Sequence, residues 1–409
     1  MLKIYHEGEL INKAGVDRVV LSHVVLLKIN WPVFKSALKT SNDIVYDAFK
    51  ARNRTCYVTE GGDVFHHMTI TNPEIGHLVF GANPKRYGLM ELSPSNVRDG
   101  INLVNFTGAE FIRCLANTAK MLCERFGLVI SFSNSTFREI EVNCTFALKH
   151  PFTEYYRPLS VLFSDMPYLK KKCEYTGKEK NEKKLQSCSA FNKQLSVTAY
   201  NKSLEMAVAI KQKGTGCVYD ENGEVIESDL MRVEYKLKTA EVCKKWFVGL
   251  NTVADFKEEM VDEAFERLIK YYLLFPLARW EVENERGLNR IVKSYIKRSK
   301  KGYGWKTKLL TELRNEELKN REVTLLDLND LNKVIFNYSD KSGHKTRLQI
   351  SKNSSGFAFD DVFLQNDREK LNEIVGNLKC YIHDDINSST EEVNVSIKMW
   401  LEALLAKGL

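Results

Sequence analysis

Three segments of this 409-residue chain alternate polar and apolar residues with period two. They cover 139–148, 195–202 and 230–238, and such alternation is the pattern of half-buried strands. Because successive side chains of a strand point to opposite faces, each segment has one apolar face. The apolar residues are Ile140, Val142, Cys144 and Phe146 in the first segment, Leu195, Val197 and Ala199 in the second, and Met231, Val233, Tyr235 and Leu237 in the third. We therefore predict three strands that each pack one face on a core.

The opposite strand faces carry polar side chains suited to phosphoryl transfer if the strands pair. They are Glu139, Glu141, Asn143 and Thr145; Ser196, Thr198, Tyr200 and Lys202; and Arg232, Glu234, Lys236 and Lys238. A tyrosine that attacks phosphate at neutral pH needs positive charge nearby, since its unperturbed pKa is about 10. Lys202 is expected on the face of Tyr200, within roughly 7 Å by strand rise, and would supply that charge. The alternative is a polar face that is only solvated.

Candidate metal ligands lie on the same predicted face. Mg²⁺ and Mn²⁺ prefer oxygen ligands, and Glu141, Asn143 and Glu234 can offer them from neighbouring strands. A metal held there would act as a Lewis acid on a phosphate. The adjacent residues His66 and His67 cannot chelate a metal together from a strand, because they point to opposite faces. We interpret that pair as structural or surface residues.

The spacing of apolar residues predicts helices around and after these strands. One helix covers 107–127, where Thr107 and Glu110 form a capping box and Gly127 ends the helix. Another follows Tyr200 at about 202–212, and helical periodicity dominates from 255 onward, with terminal helices at about 367–379 and 391–407. The predicted fold class is therefore α+β, an antiparallel sheet with helices on one face. We place this domain at 1–254 and a helical, basic C-terminal domain at 255–409.

Composition and charge restrict the class of protein. Hydrophobic residues make up 44% of the chain, which favours a folded core over disorder, and the net charge is +7. The nine cysteines form no Cys-x-x-Cys pair, so they indicate reduced thiols rather than a zinc site or a disulfide framework. The longest apolar stretch, 19–27, is too short to cross a bilayer, which takes about 20 residues. We expect a soluble protein of the cytoplasm, with no membrane partner.

Two lysine-rich segments are candidates for contact with DNA. The segment 170–184 has seven lysines and three glutamates, and we predict a surface loop that is either simply solvated or a DNA-contacting flap. Its candidate contacts are Lys170, Lys171 and Lys172. The segment 293–308 interleaves seven lysines and arginines with aromatic residues, a pattern that binds phosphates and stacks bases, unless it is only an exposed basic loop. Its candidate contacts are Lys297, Arg298, Lys300, Lys301 and Trp305.

The order of four stretches resembles the replication initiators of filamentous phages, the gene II protein family. The first stretch looks like that family's strand, Ser-Pro turn and Gly-x-Asn, and the others look like its acidic strand, its tyrosine strand and its Arg-x-Glu strand. In sequence order they are 89–97 with 100–102, 141–146, 197–202 and 231–239. The resemblance is confined to residues 85–250. It implies a nicking-closing enzyme that cuts one strand of a double-stranded origin and later rejoins the displaced strand into a circle.

Carried over by residue, the resemblance makes Tyr200 the nucleophile, Lys202 its cationic partner and Glu234 a metal ligand. It makes Arg232 a phosphate or structural contact, with Lys236 beside it as a DNA contact. It places Glu91 at the family's acid before the Ser-Pro turn, as a further metal ligand. The implied cofactor is Mg²⁺ or Mn²⁺. The implied partners are double-stranded origin DNA, the displaced single strand, and a host helicase and polymerase in a bacterial cytoplasm. One departure is that Asn143 stands where the family usually has Asp, so Glu141 is expected to take over its charge.

Two other functions fit parts of the same pattern. The first is a non-catalytic origin-binding regulator derived from such an enzyme, and the missing charge at Asn143 favours it. The second is an RNA-binding or scaffolding protein that stacks bases on the sheet, although the predicted face is poor in aromatic residues. The sequence leaves open the origin recognised, the oligomeric state on DNA, the lifetime of a covalent intermediate and the existence of a separate C-terminal product.

Overall fold

The three predicted strands belong to a larger antiparallel sheet in the computed structural model. The structure describes residues 2–47, 57–59, 61–65, 67–72, 74–80, 88–93, 103–164, 166–176, 184–213, 218–277, 326–327, 362–363 and 365–382. The strands there are β1 Tyr5–His6, β2 Glu9–Leu10, β3 Gly15–Ser22, β4 Val25–Ile29, β5 Ile44–Asp47, β6 Tyr57–Val58, β7 Val64–Phe65, β8 His67–Asn72, β9 Gly76–Phe80, β10 Leu89–Leu92, β11 Leu128–Ser131, β12 Thr136–Ala147, β13 Lys170–Thr176, β14 Lys184–Phe191, β15 Leu195–Asn201, β16 Leu230–Leu237, β17 Leu326–Asp327 and β18 Val362–Phe363. The α-helices are α1 Trp31–Thr40, α2 Gly108–Phe126, α3 Tyr156–Ser164, α4 Lys202–Lys213, α5 Ala240–Trp246, α6 Met260–Ile269 and α7 Gln365–Lys379.

Ten of these strands form one sheet, in the order β13-β14-β15-β16-β12-β3-β10-β9-β8-β5. Every neighbouring pair in it is antiparallel. β12 lies at its centre between β16 and β3, so the strand predicted from Glu141 and Asn143 has a partner on both sides. The described strands outside the sheet form four two-stranded pairs.

The predicted apolar faces are all buried, which confirms their orientation. Each of the eleven side chains predicted there is at most 2% exposed. Helices cover this face: the Phe265 ring of α6 packs edge-on against Tyr235 of β16, with centroids 5.7 Å apart. The rings of Phe111 in α2 and Phe137 in β12 both pack against the ring of Phe256, with centroid distances of 5.2 Å and 5.5 Å. The predicted α+β class, an antiparallel sheet with helices on one face, is confirmed.

Helix α2 begins and ends where the sequence predicts. The Thr107 side chain accepts the backbone N–H of Glu110, whose carboxylate accepts the N–H of Thr107 in return. At the other end Gly127 has φ 68°, a left-handed conformation that glycine adopts without steric cost. An added Cβ at Gly127 would also lie 2.6 Å from the Asn30 carbonyl oxygen, so the helix end fits closely against the start of α1.

Two local predictions are wrong. The lysine-rich segment 170–184 is not a loop throughout, because 170–176 forms strand β13 and Lys184 begins β14. The polar residues alternate with Cys173 and Tyr175 there, and pairing with β14 outweighs the charge of the lysines. The tyrosine strand ends at Asn201, so Lys202 is the first residue of α4 rather than the next residue on the strand face. The predicted helix at 391–407 lies outside the described residues.

The chain divides into two compact units, at 1–154 with 168–269 and 377–383, and at 155–167 with 270–376 and 384–409. The first unit contains the ten-stranded sheet. In the second, the Tyr155 hydroxyl donates to Glu373 at 2.7 Å, and Arg157 pairs with Asp367 at 3.3 Å. The boundary that we place near 254 stays a prediction. None of the helices in the described ranges has the length and apolar character needed to cross a bilayer.

Gly15 of β3 provides a test of this packing. An added Cβ would lie 2.5 Å from Cβ of Asn105 and 2.7 Å from the Phe106 carbonyl oxygen, closer than atoms can approach. We expect Gly15→Ala to lower the free energy of unfolding by about 1–3 kcal/mol, measured by chemical denaturation. As a control, Gly376→Ala in α7 adds a Cβ with no neighbouring atom within 4 Å, and should be neutral or stabilising. Equal stabilities of the two variants would contradict the close approach at Gly15.

Candidate active site

The register of the sheet arranges the polar face in three rows. Residues directly opposite each other in antiparallel strands share a face, so each row can be followed from strand to strand. From β13 toward β3, the first row is Lys170, Phe191, Ser196, Lys236, Glu141 and Arg18. The second is Ser189, Thr198, Glu234, Asn143 and Gly15, and the third is Ser187, Tyr200, Arg232 and Thr145. The predicted strands therefore do bring Tyr200, Glu141, Asn143 and Glu234 to one face.

Three carboxylates converge on this face: Asp17, Glu141 and Glu234 each offer an oxygen, and these atoms lie within 4.8 Å of one another. Asp17 is 5% exposed and Glu141 is 7% exposed. Burial, and then the charges of Glu141 and Asp17, raise the pKa of Glu234 to about 8. Carboxylates this close repel each other unless a proton or a cation lies between them. The cluster therefore has the charge and the donor atoms that a hard divalent cation needs.

Asn143 adds a neutral oxygen to the cluster. It is fully buried, and neither its side-chain oxygen nor its side-chain nitrogen has a hydrogen-bond partner among the residues described. Burying an amide without partners is costly, so an unsatisfied amide needs an explanation. Asn143 lies directly opposite Glu234 and two residues from Glu141 on the same face. A metal bound by the three carboxylates would accept the amide oxygen as a further ligand, so the residues present fit Mg²⁺ or Mn²⁺.

Asp17 is the member of the cluster that period-two reasoning misses. Glu141 pairs with Arg18 whereas Val142 pairs with Val16, so Asp17 is an extra residue in β3. Such a β-bulge shifts the alternation by one position. Both Asp17 and Arg18 therefore reach the polar face, while Val16 and Val19 on either side are fully buried. The sequence does carry a signal for this residue, because Asp17 and Arg18 are adjacent charged residues inside an otherwise apolar strand, Gly15–Ser22.

Two cations, Arg18 and Lys236, bind Glu141 of the cluster, and Arg18 also binds two carboxylates outside it. Arg18 donates to Glu141 at 3.0 Å, to Glu139 at 3.4 Å and to Glu91 at 2.7 Å. Lys236 also donates to Glu141, and both cations bind the same oxygen, Oε1. The other oxygen of Glu141 is thereby left able to ligate. Glu91, which is expected to be a further metal ligand, lies outside the three-carboxylate cluster and contacts it through Arg18.

Tyr200 lies diagonally next to the cluster, one strand across and one row along from Glu234. Thr198, two residues before Tyr200, is directly opposite Glu234, whereas Tyr200 is directly opposite Arg232. Burial raises the pKa of the Tyr200 phenol, the Arg232 charge opposes this rise, and Glu234 and Asp17 add to it. Arg232 is fully buried. Its Nε donates to Thr145 Oγ1 and its Nη2 to the Leu103 carbonyl, both at 2.9 Å. Arg232 is predicted to be either a phosphate contact or a structural residue, and these buried hydrogen bonds fit the structural role.

Lys202 occupies a different position from the one expected. Its side chain is fully buried at the start of α4, and its ammonium lies 2.9 Å from Glu205. Burial, and then the Arg232 charge, lower its pKa to about 8. The cation directly opposite Tyr200 is Arg232.

The predicted DNA contacts are found in three settings. Lys236 is bound to Glu141 and lies 3.9 Å from Glu139. Lys170 is exposed at the start of β13, and Lys171 and Lys172 follow it in the same edge strand. Lys297, Arg298, Lys300, Lys301 and Trp305 lie outside the described residues.

Comparison with models of known protein families gives no match, and neither does a search of curated proteins. Among solved structures, the chain is similar to one described as "Structure of Rolling Circle Replication Initiator Protein from Geobacillus stearothermophilus". The two are 11% identical, the alignment covers 64% of this chain and 85% of that one, and the TM-score is 0.32. Similarity at that level carries no argument about function, and the assignment to the filamentous-phage family stays a prediction from the sequence motifs.

Glu234→Gln tests whether the three carboxylates form a metal site. Because the pKa of Glu234 is raised from 4.5 to about 8, its ionisation costs the folded state stability as pH rises through that range. Without metal, the variant should therefore unfold at a higher temperature than the parent, most clearly above pH 8. We expect a difference of several degrees, because about 1 kcal/mol shifts the unfolding midpoint of a domain of roughly 150–250 residues by roughly 2–4 °C.

Added Mn²⁺ should raise the unfolding temperature of the parent but not of Glu234→Gln, because a ligand that binds only the folded state stabilises it. The control is Glu139→Gln, which removes a carboxylate paired with Arg18 outside the cluster and should keep the Mn²⁺ response. An undiminished Mn²⁺ response in Glu234→Gln would contradict the site.

Proposed function

We propose that this protein is a rolling-circle replication initiator that nicks and rejoins one strand at a double-stranded DNA origin. The observation that carries the proposal is the position of Tyr200, diagonally beside the cluster of Asp17, Glu141 and Glu234 on one sheet face. An oxygen nucleophile next to a cation site is what metal-assisted transesterification requires. The order of motifs in the sequence supports the same reaction.

In the proposed reaction, the Tyr200 phenol oxygen forms a bond to the phosphorus and the 3′-oxygen of the upstream nucleotide leaves. The phenol gives up one proton and the departing 3′-oxygen takes one up, so the step needs no oxidant or energy source. One phosphodiester is exchanged for one phosphotyrosine ester. Attack by a 3′-OH on that ester reverses the exchange and rejoins the strand.

The cation would be held by Asp17, Glu141 and Glu234, with Asn143 as a neutral ligand. When bound, Mg²⁺ or Mn²⁺ supplies Lewis acidity to the phosphate. Asp17 provides the carboxylate that Asn143 lacks, so the ligand set keeps three negative charges. Arg18 and Lys236 fix the position of Glu141, and Glu91 and Glu139 fix that of Arg18.

Arg232 would favour the phenolate of Tyr200, because it is the positive charge directly across from it and its hydrogen bonds prevent it from turning away. Lys202 would act as a second, more distant cation at the end of the tyrosine strand. Lys170, Lys171 and Lys172 would contact the backbone of the DNA, together with the basic segment 297–305. A host helicase and polymerase would then use the displaced strand and the free 3′-OH.

A non-catalytic origin-binding regulator is the second candidate. Burial of Tyr200 favours it, since a phenol whose pKa is raised is a weak nucleophile. Such a regulator would bind origin DNA with equal affinity in EDTA and in Mn²⁺, and would leave the DNA intact.

Tyr200→Phe should abolish nicking, because it removes only the oxygen that attacks the phosphate. The measurement is conversion of a supercoiled plasmid that carries the protein's own origin into open circles in Mn²⁺, with EDTA as the blank. We expect a loss on the order of a thousandfold or more, with origin binding retained. Equal nicking by parent and variant would rule out Tyr200 as the nucleophile, and absence of nicking by the parent would favour the regulator.

Asp17→Asn tests the ligand that the bulge provides. We expect nicking at low Mn²⁺ to fall on the order of 10- to 100-fold, because the metal loses one charged ligand. Raising the Mn²⁺ concentration should restore part of the rate, since binding rather than chemistry is impaired. The control Glu221→Gln removes an exposed carboxylate at a turn outside the cluster, and it should change neither the nicking rate nor its dependence on Mn²⁺. A loss in Asp17→Asn that no Mn²⁺ concentration relieves would point to a structural role instead.

A further inference from the structure

On the β14 side of Tyr200, the polar face is made of small hydroxyl-bearing residues. Ser187 and Ser189 of β14 lie opposite Tyr200 and Thr198, and Ser196 lies one row further along β15. All of them are partly exposed. We call Ser187, Ser189, Ser196 and Thr198 the hydroxyl surface. Short side chains of this kind leave the backbone close to the solvent, so an extended chain can lie across them.

An exposed aromatic residue stands at the end of the hydroxyl surface. Phe191 is directly opposite Ser196, on the same face, and is 39% exposed. A phenyl ring on an otherwise polar face has no core to fill. Tyr168 is at the same end of the sheet, 89% exposed, with a left-handed φ of 62°. Its carbonyl accepts the side chain of Asn192, which ties it to the turn after Phe191.

Positive charge accompanies these rings. Lys170 lies directly opposite Phe191 in β13 and is exposed, and Lys193 is exposed two residues after Phe191. Proteins that bind single-stranded nucleic acid combine aromatic rings, which stack on bases, with positive charges, which contact the phosphates. Bases in a duplex are already stacked on one another and cannot offer a free face to Phe191. The chemistry of this region therefore fits a single strand.

We propose that the hydroxyl surface carries the single strand leading to the cut phosphate, and that Phe191 stacks on one of its bases. The choice of DNA over RNA, and the position of the phosphate at Tyr200, rest on the proposed nicking function. Phe191 is one strand across and two rows along from Tyr200, or about 14 Å by strand geometry. The stacked base is thus between about two and four nucleotides from the cut phosphate, depending on how far the strand is extended.

The test measures binding without cleavage, so that it does not depend on nicking. Fluorescence anisotropy in EDTA gives the affinity for an oligothymidylate of about 20 nucleotides, for the matching oligouridylate and for a duplex of equal length. Phe191→Ala should weaken oligothymidylate binding roughly 5- to 100-fold and leave duplex binding unchanged. Phe191→Trp should restore the affinity, and its fluorescence should fall on binding. Tyr219→Ala is the matched control, because Tyr219 is 37% exposed at the turn before Gly223.

Unchanged binding of oligothymidylate by Phe191→Ala would overturn the inference. So would a Phe191→Trp variant that is folded, as judged by thermal unfolding, but does not regain the affinity. Tighter, Phe191-dependent binding of oligouridylate would overturn the assignment to DNA. Failure of the nicking proposal is recognised separately, by absence of Mn²⁺-dependent open circles from a protein whose oligothymidylate binding does depend on Phe191. Where nicking occurs, abasic nucleotides placed one at a time should impair it most at the predicted two- to four-nucleotide distance.

Discussion

Electrostatic repulsion among Asp17, Glu141 and Glu234 is the constraint to which the centre of the sheet is adapted. Three carboxylate oxygens within 4.8 Å are unfavourable without a compensating charge. The protein's own residues offset part of this repulsion. Arg18 and Lys236 bind one oxygen of Glu141, and the raised pKa of Glu234 favours its neutral form. On the proposed function, a bound Mg²⁺ or Mn²⁺ would offset the remainder. The amide of Asn143, which is buried and unsatisfied next to the cluster, would then be one of the ligands.

Arg232 connects this cluster to the rest of the fold. Its guanidinium is fixed by Thr145 of β12 and by the carbonyl of Leu103, which belongs to a separate small core with Ile4, Ile11 and Leu230. A buried arginine held in this way is a permanent charge. It opposes the rise that burial causes in the pKa of Tyr200, and it adds to the lowering that burial causes in the pKa of Lys202. The environment of Tyr200 is therefore set by segments far apart in the sequence.

Much of this arrangement follows from simple periodicity. Alternation placed Glu141, Asn143, Tyr200 and Glu234 on one face, because residues two apart in a strand share a face and these strands are neighbours. Capping chemistry gave both ends of α2. Asp17 could not be found in the same way, since a bulge breaks the period that the reasoning assumes. Lys202 was misplaced for a related reason: alternation cannot tell where a strand ends and a helix begins. The long-range bond from Arg232 to Leu103 has no local signal at all.

The extra residue in β3 has an evolutionary consequence. Deleting the codon for Asp17 would remove one negative charge from the centre of the sheet, while β12, β15 and β16 kept their spacing. Related proteins could then differ in metal dependence and still share every motif by which a sequence pattern would group them. Function in such a group would have to be assigned from the length of β3 as well as from the tyrosine strand.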